Sequence, residues 1–145
     1  MSTTTGDLII KPYEPDDQQA VIALWIQCGL VVPQNNPEKD IQAKLAFQPG
    51  LFLSGFRNDV LVATVMAGYE GHRGWINYLA VAPHCRRQGL GRKMMTHAQM
   101  LLAGHGCPKI NLQVRHANTQ VIEFYRRCGF SDDKVLSMGK RIDTS

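Results

Sequence analysis

Apolar and polar positions follow two different periods along the chain, and each change of period marks a new element. Alternating or continuous apolar runs predict strands, whereas apolar residues three or four positions apart predict helices. The predicted strands cover residues 8–13, 51–53, 60–66, 75–81, 110–114 and 135–142, and the predicted helices begin at 15, 37, 89 and 118. The order βααβββαβαβ predicts an α/β or α+β fold, with a mixed central sheet and helices on both faces.

Local signals predict both ends of the first helix and the start of the second. Pro15 opens the first helix, with two aspartates in its first turn, and Gly29 ends it. Asn36-Pro37-Glu38 combines a cap residue, a proline and an early acid, so a second helix begins there. These signals are local and do not depend on the rest of the fold.

The length of 145 residues suits one domain with a sizeable core. We expect a flexible lead-in over 1–7 and a single domain over 8–145. The chain contains no apolar run of 18 residues, and its N-terminus lacks the basic start and apolar core of a signal peptide. The expected location is the cytoplasm, with no membrane partner.

The cysteine spacing favours free thiols over a metal centre. The four cysteines are Cys28, Cys85, Cys107 and Cys128, and they form no C-x-x-C pair. Small buried hydrophobic side chains are the favoured interpretation. The alternative is a zinc site that combines Cys85 and Cys107 with His84 and His105, but structural zinc sites favour closer ligand pairs. We therefore expect no metal.

Charge is distributed unevenly between the two halves of the chain. Residues 1–70 carry four Lys/Arg and eight Asp/Glu, whereas residues 71–145 carry twelve and four. A basic half indicates a polyanionic ligand, unless the charges are scattered over the surface in three dimensions. A nucleic-acid ligand is disfavoured because no aromatic residues are interleaved on a basic face.

The segment 79–93 is the most informative part of the sequence. An apolar strand runs into a loop with Gly89 and Gly91, and the loop opens directly into a helix. Glycine lets the backbone approach a ligand, and the free N–H groups of a helix start favour phosphate. Arg92 and Lys93 lie in the first turn, where a cation is disfavoured unless an anion binds. The alternative is a basic turn whose side chains point into water.

Two common phosphate motifs are excluded. A Walker loop requires G-x-x-x-x-G-K-[ST], which is absent. The dinucleotide fingerprint requires a third glycine where this chain has Met94, and no acidic residue follows at the usual distance. Nucleotide-dependent enzymes are therefore disfavoured.

The pattern Arg86-x-x-Gly89-x-Gly91 resembles the pyrophosphate loop of the GNAT superfamily of N-acetyltransferases. A second pattern, in the family's order, is Asn118-x-x-Val121-x-x-x-Tyr125-x-x-x-Gly129-Phe130. Segments 68–74 and 106–110 further resemble the small bacterial YpeA-type acetyltransferases. The resemblance implies a GNAT-like domain that uses acetyl-coenzyme A as cosubstrate.

The resemblance also implies site residues. The strand backbone of Leu79, Ala80 and Val81 would meet the pantetheine arm of the cofactor. The pyrophosphate would be bound by Arg86, Arg87, Gln88, Gly89, Leu90, Gly91 and Arg92. Asn118 would contact the cofactor arm, and Tyr125 would act as general acid at the sulfur. The alternatives are a plain helix cap for Asn118 and a core aromatic for Tyr125.

Direct acetyl transfer needs a neutral amine, an oxyanion donor and a proton donor for the thiolate. The backbone N–H of Val81 is the candidate oxyanion donor. Related alanine acetyltransferases place a glutamate where this chain has Gln113, which leaves Glu70 and His72 as candidate bases; both also fit turn or surface residues. A weak base favours an amine of low pKa, such as an α-amine.

The amine itself cannot be identified from the sequence. The alternative function is a coenzyme A-binding module without catalysis, although the retained tyrosine favours an enzyme. The sequence does not decide between a monomer and a homodimer.

Overall fold

The computed structural model describes residues 6–143, which form five strands and four α-helices. The strands are β1 (Ile9–Pro12), β2 (Phe52–Arg57), β3 (Val60–Tyr69), β4 (Gly74–Val81) and β5 (Ile110–Asn111). The helices are α1 (Gln18–Gln27), α2 (Pro37–Ala46), α3 (Leu90–Gly104) and α4 (Thr119–Arg127). The chain divides into two compact units, one up to Leu112 and one from Gln113, and each is described separately.

The first unit is a five-stranded sheet in the order β1-β2-β3-β4-β5, antiparallel except for the parallel pair β4–β5. Helix α1 covers one face, where Trp25 Nε1 donates to Thr64 Oγ1 at 2.9 Å. Helix α3 covers the opposite face, where Met94 Sδ lies 3.0 Å from the position of a Cβ on Gly55, beside Ala63. The predicted α+β class, with a mixed sheet and helices on both faces, is confirmed.

The locally encoded helix starts are confirmed. Asn36 Oδ1 accepts from the Lys39 N–H at 3.2 Å, so α2 begins with the predicted cap. Pro15 begins a short 3-10 turn that leads into α1, and Gly29 follows the helix with a φ of 73°. Ile41 of α2 is fully buried under the sheet.

The predicted last strand over 135–142 is wrong. Within the described residues this segment forms no strand, and its large apolar side chains are 79–91% exposed. A strand needs a partner for its backbone groups, and alternating side chains alone do not supply one. Strand β5 is also shorter than predicted and ends at Asn111.

The predicted division into a lead-in over 1–7 and a domain from 8 stays a prediction, since residues 1–5 lie outside the described residues. Among the described residues, no helix is both long and apolar enough to span a membrane.

Candidate active site

An irregularity in the middle of β4 shapes the candidate site. Ala80 pairs with Thr64 and Asn77 pairs with Met66, so β4 has one more residue than β3 between these two pairs. Tyr78, in this bulge, has a φ of 51°, a left-handed conformation that is rare for an aromatic residue. Such backbone strain costs about 1–3 kcal/mol and persists only where the surroundings fix it.

Contacts from three elements fix Tyr78. Its ring stacks on Trp25 with a centroid distance of 3.8 Å. Its carbonyl accepts from Thr64 Oγ1 at 2.8 Å. Its hydroxyl donates to Asp40 Oδ2 at 2.5 Å and accepts from Asn35 Nδ2 at 2.6 Å. The bulge is therefore held by α1, β3 and α2 together.

The edge of β4 beyond the bulge is open. Strand β5 pairs only with Gly74 and Trp75, so residues 76–81 have no strand partner on that side within the described part of the chain. The Ala82 N–H donates to Val62 O at 2.8 Å. Since hydrogen-bonded pairs alternate along an antiparallel ladder, the N–H and C=O of Val81 point away from β3, towards the open edge.

The same alternation separates the three predicted strand residues. Ala80 belongs to a hydrogen-bonded pair with Thr64, so its backbone groups face the sheet. Val81 directs its groups to the open edge, whereas Leu79 lies in the bulge, where the regular alternation is interrupted. The Val81 carbonyl accepts from Arg86 Nε at 3.3 Å and from Cys28 Sγ at 3.4 Å. Its N–H is the group that this edge offers to a ligand.

The glycine loop after β4 has the geometry expected of an anion site. Gly89 is the N-cap of α3 with a φ of 79°, and Arg87 also has a left-handed φ of 63°. Gly89 has no side chain to cap the helix, so N–H groups of the first turn remain available. Leu90 is buried and anchors the helix start. The exposed side chains here include Arg86, Arg87, Gln88, Arg92 and Lys93.

A buried arginine, which sequence reasoning missed, ties this loop to the sheet. Arg57, at the end of β2, is 7% exposed, and its Nη1 donates to Gln88 Oε1. The side chain of Gln88 is therefore engaged with the sheet, and Arg57 is a positioning residue for the loop. No local pattern around Arg57 marks this role, because the two residues are 31 positions apart.

The proposed base Glu70 does not lie near the Val81 end of the open edge. It follows β3, and its carboxylate accepts from the backbone N–H groups of His72, at 3.2 Å, and Arg73. It thus stabilises the β3–β4 turn, at the start of β4. Val81 lies at the other end of that strand, roughly 20 Å away at about 3.3 Å per residue. The structure does not bring Glu70 or His72 together with Val81.

The second unit holds the remaining predicted residues on α4. Asn118 is the N-cap residue, but its side chain makes no capping hydrogen bond, which disfavours the plain-cap interpretation. Tyr125 is half-buried, with edge-on ring contacts to Phe124 at 5.1 Å and Phe130 at 5.7 Å. Burial, and then the nearby Cys128, raise the pKa of Tyr125 to about 12. Its hydroxyl is therefore protonated at neutral pH.

Substitutions at Asn36 and Asn118 test which of the two asparagines stabilises its helix as a cap. Asn36→Ala removes a formed cap and should lower the free energy of unfolding by about 1 kcal/mol. Asn118→Ala removes no cap bond and should change it by less than about 0.5 kcal/mol. Urea unfolding followed by circular dichroism measures both. Equal losses would mean that Asn118 is an ordinary cap.

A cleft beside α2 contains two ionisable groups that sequence reasoning did not select. It has a volume of about 610 Å³ and is lined by Leu30, Asn35, Asp40, Ala43, Lys44, Phe47, Met66, Asn77 and Tyr78. Asp40 and Lys44 are one helical turn apart on α2. Only the fold shows that they face β4, since in sequence they look like ordinary surface charges.

The four cysteines are in the thiol form, and Cys85 is fully buried. Cys107 donates to the Lys109 carbonyl at 3.3 Å. Within residues 6–143, no three His, Cys, Asp or Glu side chains converge in a way that could hold a metal ion.

Comparison with known proteins gives a consistent result. The sequence matches the model of the acetyltransferase (GNAT) family over residues 17–130. An acetyltransferase of Pectobacterium atrosepticum is 41% identical over 133 residues, which are 92% of this chain and 94% of that protein. The family match extends from the start of α1 through the glycine loop to the residues just after α4.

Two crystal structures share the fold. Ard1 of Thermoplasma volcanium has a TM-score of 0.75 and 20% identity, covering 86% of this chain and 82% of its own. The PaiA N-acetyltransferase of Thermoplasma acidophilum, in complex with coenzyme A, has a TM-score of 0.71 and 16% identity, covering 84% and 88%.

Proposed function

Because this chain belongs to the GNAT family of acetyltransferases, we propose that it transfers the acetyl group of acetyl-coenzyme A directly to a primary amine. The family assignment confirms the resemblance inferred from the two sequence motifs. The observation that carries the proposal is the open edge of β4, with the outward Val81 N–H, leading into a cationic glycine loop. Acetyl-coenzyme A supplies an activated thioester.

The described residues fit the two ends of this cosubstrate. The pyrophosphate would lie at the start of α3, where exposed cations and free N–H groups meet and no acidic residue occupies the first turn. The pantetheine arm contains amide groups, which the outward backbone of Val81 can pair as a neighbouring strand would. The motif around α4 implies that Asn118 would contact the arm.

Two groups of the chain would assist acetyl transfer. The Val81 N–H would donate to the thioester oxygen as negative charge develops on it. The Tyr125 hydroxyl would donate to the sulfur as the bond to the acetyl carbon breaks. The assignment of Tyr125 rests on the motif around α4 and on its protonation at neutral pH.

The acceptor is proposed to be an amine of low pKa, such as an α-amine. The position of the glutamate in related enzymes holds Gln113, whose amide donates to Ser137 Oγ and cannot take up a proton. At pH 7 about a tenth of an α-amine is already neutral, against about one part in 2,500 of a lysine side chain. A site without a strong base therefore favours an α-amine over a lysine side chain.

The dependence of rate on pH tests this assignment. With the α-amine of a peptide amide, which carries no carboxylate, kcat/KM should rise with pH and level off near the amine's own pKa of about 8. An enzyme base would produce an increase in kcat/KM near pH 6 that is common to all acceptors, and we expect no such increase. The release of coenzyme A, followed with a thiol reagent, gives the rates. A lysine side chain at least about ten times better than every α-amine would contradict the proposal.

Two measurements test the function itself. Mass spectrometry of the purified protein under native conditions should detect bound coenzyme A. Turnover with a panel of small amines and peptides should then yield acetylated products. Binding without turnover of any amine would favour the alternative, a coenzyme A-binding module without catalysis.

A further inference from the structure

Lys44 presents a buried positive charge to the cleft beside α2. The residue is 7% exposed, and its ammonium lies 5.6 Å from the centroid of the Phe47 ring. It forms no ion pair within the described part of the chain. A buried cation without a counter-ion is unfavourable, and burial lowers the pKa of Lys44 to about 8. At pH 7 it is still mostly charged, so the cleft offers this charge to an anion.

Asp40 supplies the opposite charge one turn earlier on α2. One carboxylate oxygen accepts from the Tyr78 hydroxyl at 2.5 Å. A carboxylate has about four acceptor positions, so most of its capacity remains for a ligand. Residues four apart lie on one helix face, with Cβ atoms about 5–6 Å apart. The cleft thus holds a carboxylate and an ammonium close together that do not pair with each other.

The two charges have a defined order relative to the open edge of β4. Asp40 contacts Tyr78, which immediately precedes Leu79. Lys44 Nζ lies 3.4 Å from the position of a Cβ on Gly68, and Gly68 pairs with Trp75, three residues earlier along β4. A ligand with its cation at Asp40 and its anion at Lys44 therefore has the cationic end nearer the reacting edge.

We propose that this cleft selects acceptor amines that also carry a carboxylate or phosphate, roughly one helical turn (about 5–6 Å) from the amine. The anion binds Lys44, and the ammonium form of the amine lies against Asp40. The ammonium releases its proton to water, and the neutral nitrogen then forms a bond to the acetyl carbon as the C–S bond breaks and coenzyme A leaves as the thiolate. This inference rests on the proposed acetyltransferase function and adds the acceptor class. Short peptides with a free C-terminus and small amino phosphates both meet the requirement.

Matched acceptor pairs test the selection in the intact enzyme. Glycylglycine is compared with glycylglycinamide, and 3-aminopropyl phosphate with 3-aminopropanol, at saturating acetyl-coenzyme A. We expect kcat/KM to be at least about tenfold higher for the anionic member of one or both pairs, which is about 1.4 kcal/mol. The pair that shows the larger ratio identifies the preferred anion.

Lys44→Met tests the residue. The substitution keeps the length and apolar packing of the side chain and removes only the charge. KM for the anionic acceptor should rise at least about tenfold, while KM for its neutral partner stays within about twofold. Lys44→Arg should retain much of the preference. Lys39→Met, at an exposed position of the same helix, is the matched control and should change neither value.

Asp40→Asn tests the other charge. Asparagine can still accept from Tyr78, so the bulge is retained, but the negative charge is lost. The kcat/KM of both members of a pair should then fall by a similar factor. Thermal unfolding and coenzyme A affinity, measured for every variant, identify any that fails to fold.

The outcomes separate this inference from the proposed function. If the wild-type enzyme acetylates neutral and anionic partners equally well, the inference is overturned and the acetyltransferase function stands. If Lys44→Met impairs both partners equally in a folded protein, Lys44 has a structural role and the inference is again overturned. If no amine of any kind is acetylated although coenzyme A binds, the proposed function itself fails.

Discussion

Gly89→Glu is expected to weaken the binding of coenzyme A at least about 100-fold. The substitution places a carboxylate at the N-cap of α3, where the pyrophosphate is proposed to lie. Two unit charges 4 Å apart repel by about 4 kcal/mol at an effective dielectric constant of about 20. Because that energy corresponds to almost three decades in affinity, a 100-fold loss allows for partial screening by solvent. Isothermal titration calorimetry with coenzyme A measures the effect.

Two controls separate charge from backbone strain. No atom lies within 4 Å of a Cβ built on Gly89, so the new side chain meets no steric obstacle, but the φ of 79° is unfavourable for any other residue. Gly89→Ala introduces the same strain without the charge and should bind much more tightly than Gly89→Glu. Gly106→Glu adds a glutamate at a left-handed glycine beyond the other end of α3, with φ of 86°, and should leave affinity unchanged. Equal losses for Gly89→Ala and Gly89→Glu would contradict the anion site.

The backbone of the glycine loop was predictable because its signals are local. A glycine pair, an apolar strand before it and cations after it lie within fifteen consecutive residues, and none of these depends on a distant contact. The same holds for α2, where Asn36 and Pro37 set the start and the structure contains the predicted cap bond. In both cases the signal and its physical effect lie in the same few residues.

The cleft was not predictable for the opposite reason. Asp40 and Tyr78 are 38 positions apart, and Gln88 and Arg57 are 31 apart. Only the bulge in β4 turns Tyr78 towards α2, and the left-handed backbone there contradicts the preference of an aromatic residue in a strand. The sequence instead favoured Glu70 as a base, because it is an acidic residue near the central strand. In the structure that carboxylate accepts hydrogen bonds within the β3–β4 turn.

The error at 135–142 shows a limit of periodicity. Leu136, Ser137 and Met138 alternate between apolar and polar as strand residues would, but such a pattern specifies only which side chains share a face of the strand. It does not specify a partner strand, and the structure describes these apolar side chains as exposed. The hydrophobic pattern therefore predicted strands correctly where a partner strand was available, as for β1 against β2 and for the hairpins of β2, β3 and β4.

The pKa of Tyr125 also decides what its hydroxyl can do. A thiol has a pKa near 8.5, whereas burial and Cys128 raise the pKa of Tyr125 to about 12. Full proton transfer from the phenol to the departing thiolate is therefore uphill by about 5 kcal/mol. A hydrogen bond that strengthens as charge develops on sulfur needs no such transfer. We infer that Tyr125 acts mainly as a hydrogen-bond donor, and it should add no limb to the pH profile below about pH 11.

Tyr125→Phe is expected to lower kcat at least about tenfold. Loss of a general acid typically costs a factor of about 10²–10⁴, and a hydroxyl that only donates a hydrogen bond can cost less. The ring and its edge-on contacts with Phe124 and Phe130 are kept, so coenzyme A affinity and Tm should be nearly unchanged. Tyr69→Phe is the matched control, since it removes a hydroxyl that donates to the Gly71 carbonyl at 3.2 Å in the turn after β3. Steady-state kinetics, calorimetry and thermal unfolding are measured for both variants. Full kcat in Tyr125→Phe would remove this hydroxyl from the reaction, and a lowered Tm with proportionate loss of activity would assign Tyr125 to the core instead.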